Sequence, residues 1–594
     1  MSSTPDIQTQ RKIPSPKDAI VFRFKSTLLQ VKRGARNLFD SQIRKFSKAD
    51  ALAANPVIGE SKTKLWTESD PEERFLLAGK IHNLRLVIRE LDGVEIPAGE
   101  TFSFWKQTGR TMRLRGYVAG RELREGCIIP NIGGGLCQIS NALYDAALKA
   151  NFEVVERHAH TQVVAGSLAE QGRDATVFWN YVDLRFRAPE AFRIEARLDA
   201  ENLVLRFKGT KTERKQLFQI SKNGKSDHHP NSCATCGEES CFRMVKPAAN
   251  TDFGKTAYLV DEYTPEFDTY IQAARKENDA LFLPLDGHRF GKANYAWTTG
   301  GFSDVKQKPM VTAVRSYRSR KLAAQGAARQ KNLLDMYEKL ADAYARSLTF
   351  DVLHVVVHQN LLPFLWKAGH LGGRTFDVLM SAMPMEEIQR RLDQAARLHP
   401  ESGTLGDFRA DNSLLSAETE ALRQARKIIT QHTGIAALYP GRAETIGWKM
   451  PKGRPRGTVR NSKPTVLFPA STVGRKGCYE LREALRGLNF KIVTMGPDIE
   501  GGDFWEGFDR ERAGPDWLEK ADLAALPAFV EHRPRRLLEA AAAGLPVIAS
   551  TACGVGNVKG IETMEAGDAV ELREKILGCL AGRQSWPGKY FNSE

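Results

Sequence analysis

Apolar positions change their spacing three times along this chain. Around residues 76–100, EERFLLAGKIHNLRLVIRELDG repeats apolar residues three and four apart, which predicts an amphipathic helix, and IPAGE after it predicts a turn. Residues 101–210 alternate short strand-like runs with one helix, and residues 211–250 are polar. From residue 255 the texture becomes short, wholly apolar runs between helical stretches: AYLVDEY, ALFLPL, a long helix at 319–347, VLHVVV, FDVLM, a helix at 413–430 and the run IAALY. After residues 449–463 the alternation resumes with TVLFPA, a helix at 478–488, FKIVTM, DLAALP, a helix at 534–543 and VIAS. Runs that are apolar on both faces are the strands of parallel sheets covered by helices. The expected class is a multidomain α/β protein. Its parts are a tail at 1–75, an α+β domain at 76–210, a cysteine-containing connector at 211–250, and two α/β domains at 251–448 and 464–594 joined by the linker 449–463.

Composition narrows this only slightly. A hydrophobic fraction of 42% and a charged fraction of 26% over 594 residues exclude a collagen, a coiled coil and a wholly disordered chain. The net charge of +15 is local: residues 1–50 hold eleven basic and four acidic residues, and the linker holds six basic residues and no acid. The folded domains are therefore nearly neutral. No RNP-type aromatic motif, finger spacing or helix-turn-helix signature accompanies the charge, so a nucleic-acid partner is not expected. Residues 18–40 read as a basic amphipathic helix with Ile20, Val21, Phe24, Leu28, Leu29 and Val31 on its apolar side. Such a helix packs on its own domain or lies on an anionic membrane surface. No apolar run approaches the roughly 18 residues of a spanning helix, and the N-terminus has no apolar signal core. Eight cysteines are too few for a disulfide scaffold. The expectation is a cytoplasmic protein, with any membrane contact peripheral and on the inner face.

Candidate chemistry falls in three places. Residues 131–148, NIGGGLCQISNALYDAAL, set a flexible turn at Gly133, Gly134 and Gly135 before a helix marked by Leu136, Ile139, Leu143 and Ala147. Cys137 then sits in the first helical turn, where N–H groups and the helix dipole stabilise a thiolate. ERHAHTQVV supplies His158 and His160, and RDATVFWNYVDLRF supplies Asp174 and Asp183. These are the parts of an activated thiol nucleophile, although a structural cysteine beside a close-packed turn would use the same residues. The five ordered blocks LDGVEIPAGETFSFW, GRTMRLRGYVAG, IGGGLCQISNALYDAAL, ERHAHTQVV and GRDATVFWNYVDLRF make residues 80–208 resemble the VanW family, with Thr161 where the family commonly has Ser. The resemblance implies a domain but no particular reaction. Family members are often membrane-anchored and cell-wall associated, and no anchor is visible in this chain.

The second place is DHHPNSCATCGEESCFR, where Cys233, Cys236 and Cys241 have C-x2-C-x4-C spacing, with His228 or His229 beside them. A structural zinc is the first expectation, an iron–sulfur cluster the second, and free thiols the third. Cys127, Cys478, Cys553 and Cys579 have no ligand spacing and are expected in the core.

The third place is TVLFPASTVGRKG at 465–477, in which an apolar strand leads to Arg475 and Lys476 ahead of a helix. Two cations and a helix start suit a diphosphate. In FVEHRPRRLLEAAAAGLPVIAS, Pro534 and Gly544 suit the two ends of a helix, and Glu531 and Glu539 stand eight residues apart. Their carboxylates can accept hydrogen bonds from sugar and ribose hydroxyls. Together these residues resemble the C-terminal half of a GT-B glycosyltransferase of the large retaining family with the E-x7-E pattern. The resemblance implies two Rossmann-like domains and a nucleotide-diphosphate sugar as donor. It implies that Arg475 and Lys476 hold the diphosphate, Glu531 the sugar and Glu539 the ribose. Residues 351–380 and 425–448 resemble parts of the N-terminal half, with His354 and His358 as candidates for an active-site histidine, but no glycine-rich acceptor loop follows AYLVDEY. The chain contains no D-x-D pair, which fits a metal-independent GT-B reaction in which cations meet the charge on the departing nucleotide. The expected function is sugar transfer to an unknown, cell-envelope acceptor. The alternatives are a degenerate sugar or peptidoglycan binder and a Cys137-dependent enzyme acting on cell-wall material.

Overall fold

A computed structural model describes residues 43–67, 71–124, 127–160, 168–179, 182–210, 254–322, 326–407, 409–452 and 463–581, with a few positions between 24 and 33. The chain divides into two compact units, one of Met1–Lys255 with Thr349–His354 and Ala368–Thr375, the other of the remaining residues.

The first unit is α+β. Its long helix Pro71–Leu91 buries Leu77, Ile81, Leu84, Val87, Ile88 and Leu91, the three-and-four spacing visible in the sequence. An antiparallel sheet runs in the order Val57–Lys64, Asn202–Gly209, Phe192–Leu198 and Val94–Ile96. Alternate residues Phe192, Ile194, Ala196 and Leu198 face the core, the period-two signature of a sheet covered on one side. A second sheet pairs Thr101–Ser103 with Arg185–Arg187 and that strand with Glu153–Glu156, and Ala119–Arg124 forms a hairpin with Cys127–Ile132. Phe152 joins the layers, with ring centroids 4.6 Å from Phe192 and 5.2 Å from Phe207. Each such ring contributes about 1.5–3 kcal/mol by burial.

The triple glycine has a steric cause. Gly133 and Gly135 lie at φ +78° and +97°, and a Cβ on Gly134 would stand 2.4 Å from the carbonyl oxygen of Gly120. The turn presses against the hairpin backbone, and Asn83 Nδ2 donates to the Gly134 carbonyl at 3.0 Å. That approach fixes the start of the helix Cys137–Lys149.

The α/β part holds two sheets. The first has the order Asp304–Gln307, Ala280–Leu283, Lys255–Leu259, Val352–His358, Thr375–Leu379, Lys427–Thr430, Ala443–Thr445. The second has the order Asp509–Arg512, Lys491–Thr494, Thr465–Phe468, Leu523–Leu526, Val547–Ser550, Ile561–Met564. Counted along each sheet, both read 3-2-1-4-5-6, the doubly wound Rossmann order, and the first adds a seventh strand. The pairings are parallel, as in Ala257 with Ala280 and Val466 with Leu523. In such sheets ligands bind beyond the carboxyl ends of strands 1 and 4, where the winding reverses.

Three expected elements differ. The helix expected at 319–347 is two helices, Pro309–Lys321 and Ala327–Ala345, the second starting at Gly326 in extended conformation. The helix expected at 413–430 ends at Gln424, and Lys427–Thr430 is a strand whose last three residues are buried. IAALY is part of the helix Thr433–Leu438, whose start is capped by the His432 side chain accepting from the Ile435 N–H. Periodicity alone does not separate buried strands from helix segments in runs this short. No described helix is long and apolar enough to cross a membrane.

Candidate functional site

The second sheet brings the donor-side residues together at its switch point. Strand Thr465–Phe468 leads into the short helical turn Gly474–Lys476, and Gly477 follows at φ +76°. A Cβ on Gly477 would lie 2.2 Å from the Pro527 carbonyl oxygen, so only glycine lets this turn rest on the loop after strand Leu523–Leu526. The backbone N–H groups of Phe529 and Val530 donate to the Arg475 carbonyl at 3.0 and 3.2 Å. Lys476 Nζ donates to the Val530 carbonyl at 3.0 Å and to Glu531 Oε2 at 2.9 Å. The other Glu531 oxygen accepts from the Arg533 N–H at 2.8 Å. Burial opposes the charge of Glu531, but Lys476 and the Arg533 N–H hold its carboxyl below the usual carboxylate range. Burial lowers the Arg475 guanidinium, against the pull of Glu531, Asp407 and Glu500.

The turn already has a carboxyl group against it. Glu500 accepts from the Gly474 N–H at 2.6 Å, Ser402 Oγ at 2.9 Å and Tyr479 Oη at 3.0 Å, and from the Thr404 hydroxyl. Four donors converge on one carboxylate beside Arg475. The turn that precedes the helix Cys478–Leu485 is thus equipped to hold negative charge.

Across from this switch point stand the loops of the first sheet. Arg533 Nη2 pairs with Glu262 at 2.6 Å and Arg535 Nη1 with Glu266 at 2.8 Å. His358 ends the fourth strand of the first sheet. It is 2% exposed, its Nδ1 accepts from the Asn360 N–H at 3.3 Å, and its Nε2 has no hydrogen-bond partner. Burial lowers its pKa to about 4 although Asp261 opposes the shift. His432 Nε2 donates to the Ala552 carbonyl oxygen, 3.1 Å away. It is likewise lowered to about 4 by burial, and His532 is lowered to about 3 by burial and then by Lys476. His354 lies four residues before His358 on the same strand, with Nδ1 2.9 Å from Thr375 Oγ1. Glu539 is exposed on the helix Arg535–Ala542, with no contact to Glu531, and Gly544 follows that helix at φ +76°. Pro534 is the N-cap of this helix rather than its first residue.

The first unit assembles a separate site. Cys137 opens the helix Cys137–Lys149. Asp174, fully buried, accepts from the His160 backbone N–H and lies 2.5 Å through Oδ1 from His160 Nδ1. His160 and Cys137 act on each other's titration, the imidazole lowering the thiol and the thiol raising the imidazole. His158 is not part of this group: its ring is half exposed, with Nε2 3.5 Å from Glu156. Asp183 also lies elsewhere, accepting from Ser103 Oγ at 2.6 Å and Arg185 Nε at 2.9 Å. Cys478 and Cys553 are fully buried and Cys579 is intermediate. Cys233, Cys236, Cys241 and His228 lie outside the described residues, as does Thr161. Among the described residues, no three His, Cys, Asp or Glu side chains converge as a metal site.

Sequence reasoning missed Glu262, Glu500, His432, His532 and Arg533. The last two lie inside the EHRPRR run and were legible as polar residues beside Glu531. Glu500 carries no local signal, because its Thr404 and Ser402 partners lie 96 and 98 residues away and Tyr479 lies 21 away.

The family described as VanW like protein matches residues 79–208, and the family described as Glycosyl transferases group 1 matches residues 479–581. The uncharacterized protein YoaR of Bacillus subtilis is 36% identical over 106 residues, which are 18% of this chain and 34% of YoaR. The vancomycin B-type resistance protein VanW of Enterococcus faecalis is 28% identical over 153 residues, which are 24% of this chain and 54% of that protein. The chain thus spans between a third and about half of the curated relatives it matches. Among solved structures, the apo lipopolysaccharide outer core galactosyltransferase WaaB aligns over 56% of this chain and 92% of its own, at 13% identity and a TM-score of 0.33.

Proposed function

For a chain that carries a VanW domain at residues 79–208 and a group 1 glycosyltransferase domain at residues 479–581, we propose sugar transfer from a nucleoside-diphosphate sugar without a bound metal. The observation that carries the reading is the pairing of Lys476 with Glu531 at the second sheet's switch point, 2.9 Å apart and opposite the switch point of the first sheet. Arg475 and Lys476 meet the diphosphate, whose negative charge grows as the sugar departs; fixed cations stabilise that growth without reorganising. Glu531 accepts from the donor sugar's hydroxyls and Glu539 from the ribose. His358, held neutral, is available to the transferred sugar through Nε2. The acceptor is cell-envelope material, a reading supported by the kinship of the first unit with a protein named for vancomycin resistance.

Incubating the full chain with a panel of nucleotide sugars and measuring nucleoside-diphosphate release tests this. The expected result is turnover of one donor, reduced at least 100-fold in Glu531→Gln. A second reading, a sugar binder without turnover, is favoured by Val260-Asp261-Glu262 standing where a glycine-rich acceptor loop would follow strand Lys255–Leu259. Saturable binding of a nucleotide sugar with no diphosphate release supports that reading and overturns the first.

A further inference from the structure

The group around Cys137 has a use that sugar transfer does not require. We infer that Cys137, His160 and Asp174 form an acyl-transfer site in which the Cys137 thiolate attacks the carbonyl carbon of an amide or ester. The inference concerns the first unit alone and does not depend on the glycosyltransferase reading.

The geometry has the parts of an activated nucleophile in working order. Asp174 uses both oxygens on one residue, Oδ2 on the His160 backbone N–H and Oδ1 on the His160 ring, 2.5 Å from Nδ1. This holds the ring in one orientation and keeps the proton on Nδ1, which leaves Nε2 for the sulfur. The segment carrying Asp174 is itself pinned to the cysteine's helix. Asn141 Oδ1 accepts from the Ala175 N–H at 2.7 Å, and Ser140 Oγ donates to the Ala175 carbonyl at 2.5 Å. Ser140 and Asn141 stand three and four residues after Cys137, on the same face of the helix. Thr176 Oγ1 is 3.8 Å from the sulfur. The group is reachable, with the His160 side chain 19% exposed and Cys137 only partly covered.

The chain contains its own controls for a merely structural cysteine. Cys478 and Cys553 are completely buried, and burial pushes both thiols up, Cys553 to about 12. At Cys137 burial also opposes the thiolate, but His160, the Val177 N–H and Thr176 reverse the sign and lower it. His160 is raised to about 10 against the drag of its own burial, by Asp174 and then Cys137. Both shifts favour the thiolate–imidazolium form of the pair.

The reaction balances with water as the only co-reactant. The sulfur forms a bond to the carbonyl carbon, the C–N or C–O bond breaks, and the proton on His160 passes to the departing nitrogen or oxygen. Water then adds to the thioester, His160 takes one of its protons, and the carboxylic acid leaves with the thiolate restored.

The test uses the full chain, iodoacetamide with peptide mapping, and p-nitrophenyl acetate. Alkylation of Cys137 should vary less than about threefold between pH 6 and 8, while an ordinary thiol with a pKa near 8.5 slows close to 100-fold over the same span. Cys579 serves as the internal reference. His160→Gln and Asp174→Asn should each give Cys137 the steep profile; His160 is partly exposed, so its variant carries the test if Asp174→Asn fails to fold. p-Nitrophenyl acetate should leave an acetyl group on Cys137 and release p-nitrophenolate, neither of which occurs in Cys137→Ser. A steep profile in the unaltered chain, a profile unmoved by His160→Gln, or no acetyl on Cys137 overturns the inference.

Discussion

Lys476→Ala should lower nucleotide-sugar turnover by about 100- to 1,000-fold, the usual cost of removing one donor aimed at developing charge. Lys476 is the cation on the turn after the second sheet's first strand, and in the absence of donor it is spent on Glu531 and the Val530 carbonyl. The variant has a structural cost as well. It leaves the Glu531 carboxylate, whose side chain is 12% exposed, with the Arg533 N–H still donating to it. Breaking a fully buried pair costs about 3–5 kcal/mol, and the partial exposure here reduces that to about 1–3 kcal/mol. The double variant Lys476→Ala/Glu531→Gln separates the two effects. Thermal unfolding should show most of the lost stability returning, because no unpaired charge remains, while turnover stays at the level of the single variant or below. Recovery of turnover in the double variant would mean that Lys476 serves only to neutralise Glu531.

Acidification should destabilise the second unit between pH 6.5 and about 4.5. His358 and His432 titrate near 4 and His532 near 3 in the folded state, all depressed first by burial. An unfolded histidine titrates near 6.5. Below that pH the unfolded chain binds protons the folded chain refuses, so stability is complete above 6.5 and falls as pH drops. Glu418 runs the other way, because burial raises its carboxyl to about 7 and the folded state takes its proton first. Three groups against one leave about two protons, a slope of at most about 3 kcal/mol per pH unit. His399 does not act in this window: burial lowers it, Glu480 more than offsets that, and its raised pKa adds stability below 6.5 that is lost only as pH climbs. Urea denaturation at pH 7.5, 6 and 5 should show the decline, and His432→Gln should flatten it by about one proton. A stability that is level across the range would contradict the neutral, buried histidines.

Much of the local structure is legible along the chain. The glycine turn and helix at 131–148, the long helix Pro71–Leu91 and the strands around Thr465–Phe468 and Leu523–Leu526 follow from spacing and apolar runs. What spacing does not carry is pairing at a distance. The two 3-2-1-4-5-6 orders arise from crossovers of tens of residues, and nothing in an apolar run says which neighbour it will take. Lys476 and Glu531 are each visible as chemistry, but their contact spans 55 residues. His158 and His160 look alike in the sequence, two residues apart in one polar stretch. Only the return of the chain at Asp174, fastened by Ser140 and Asn141, selects His160.

Calorimetric titration of the full chain with UDP, GDP and ADP is the most direct test of the donor site. One of these should bind with a micromolar Kd, and Arg475→Ala/Lys476→Ala should weaken it at least 100-fold, about 3 kcal/mol. Binding that the double variant leaves unchanged, or no binding of any nucleoside diphosphate, would contradict a diphosphate site at Gly474–Lys476.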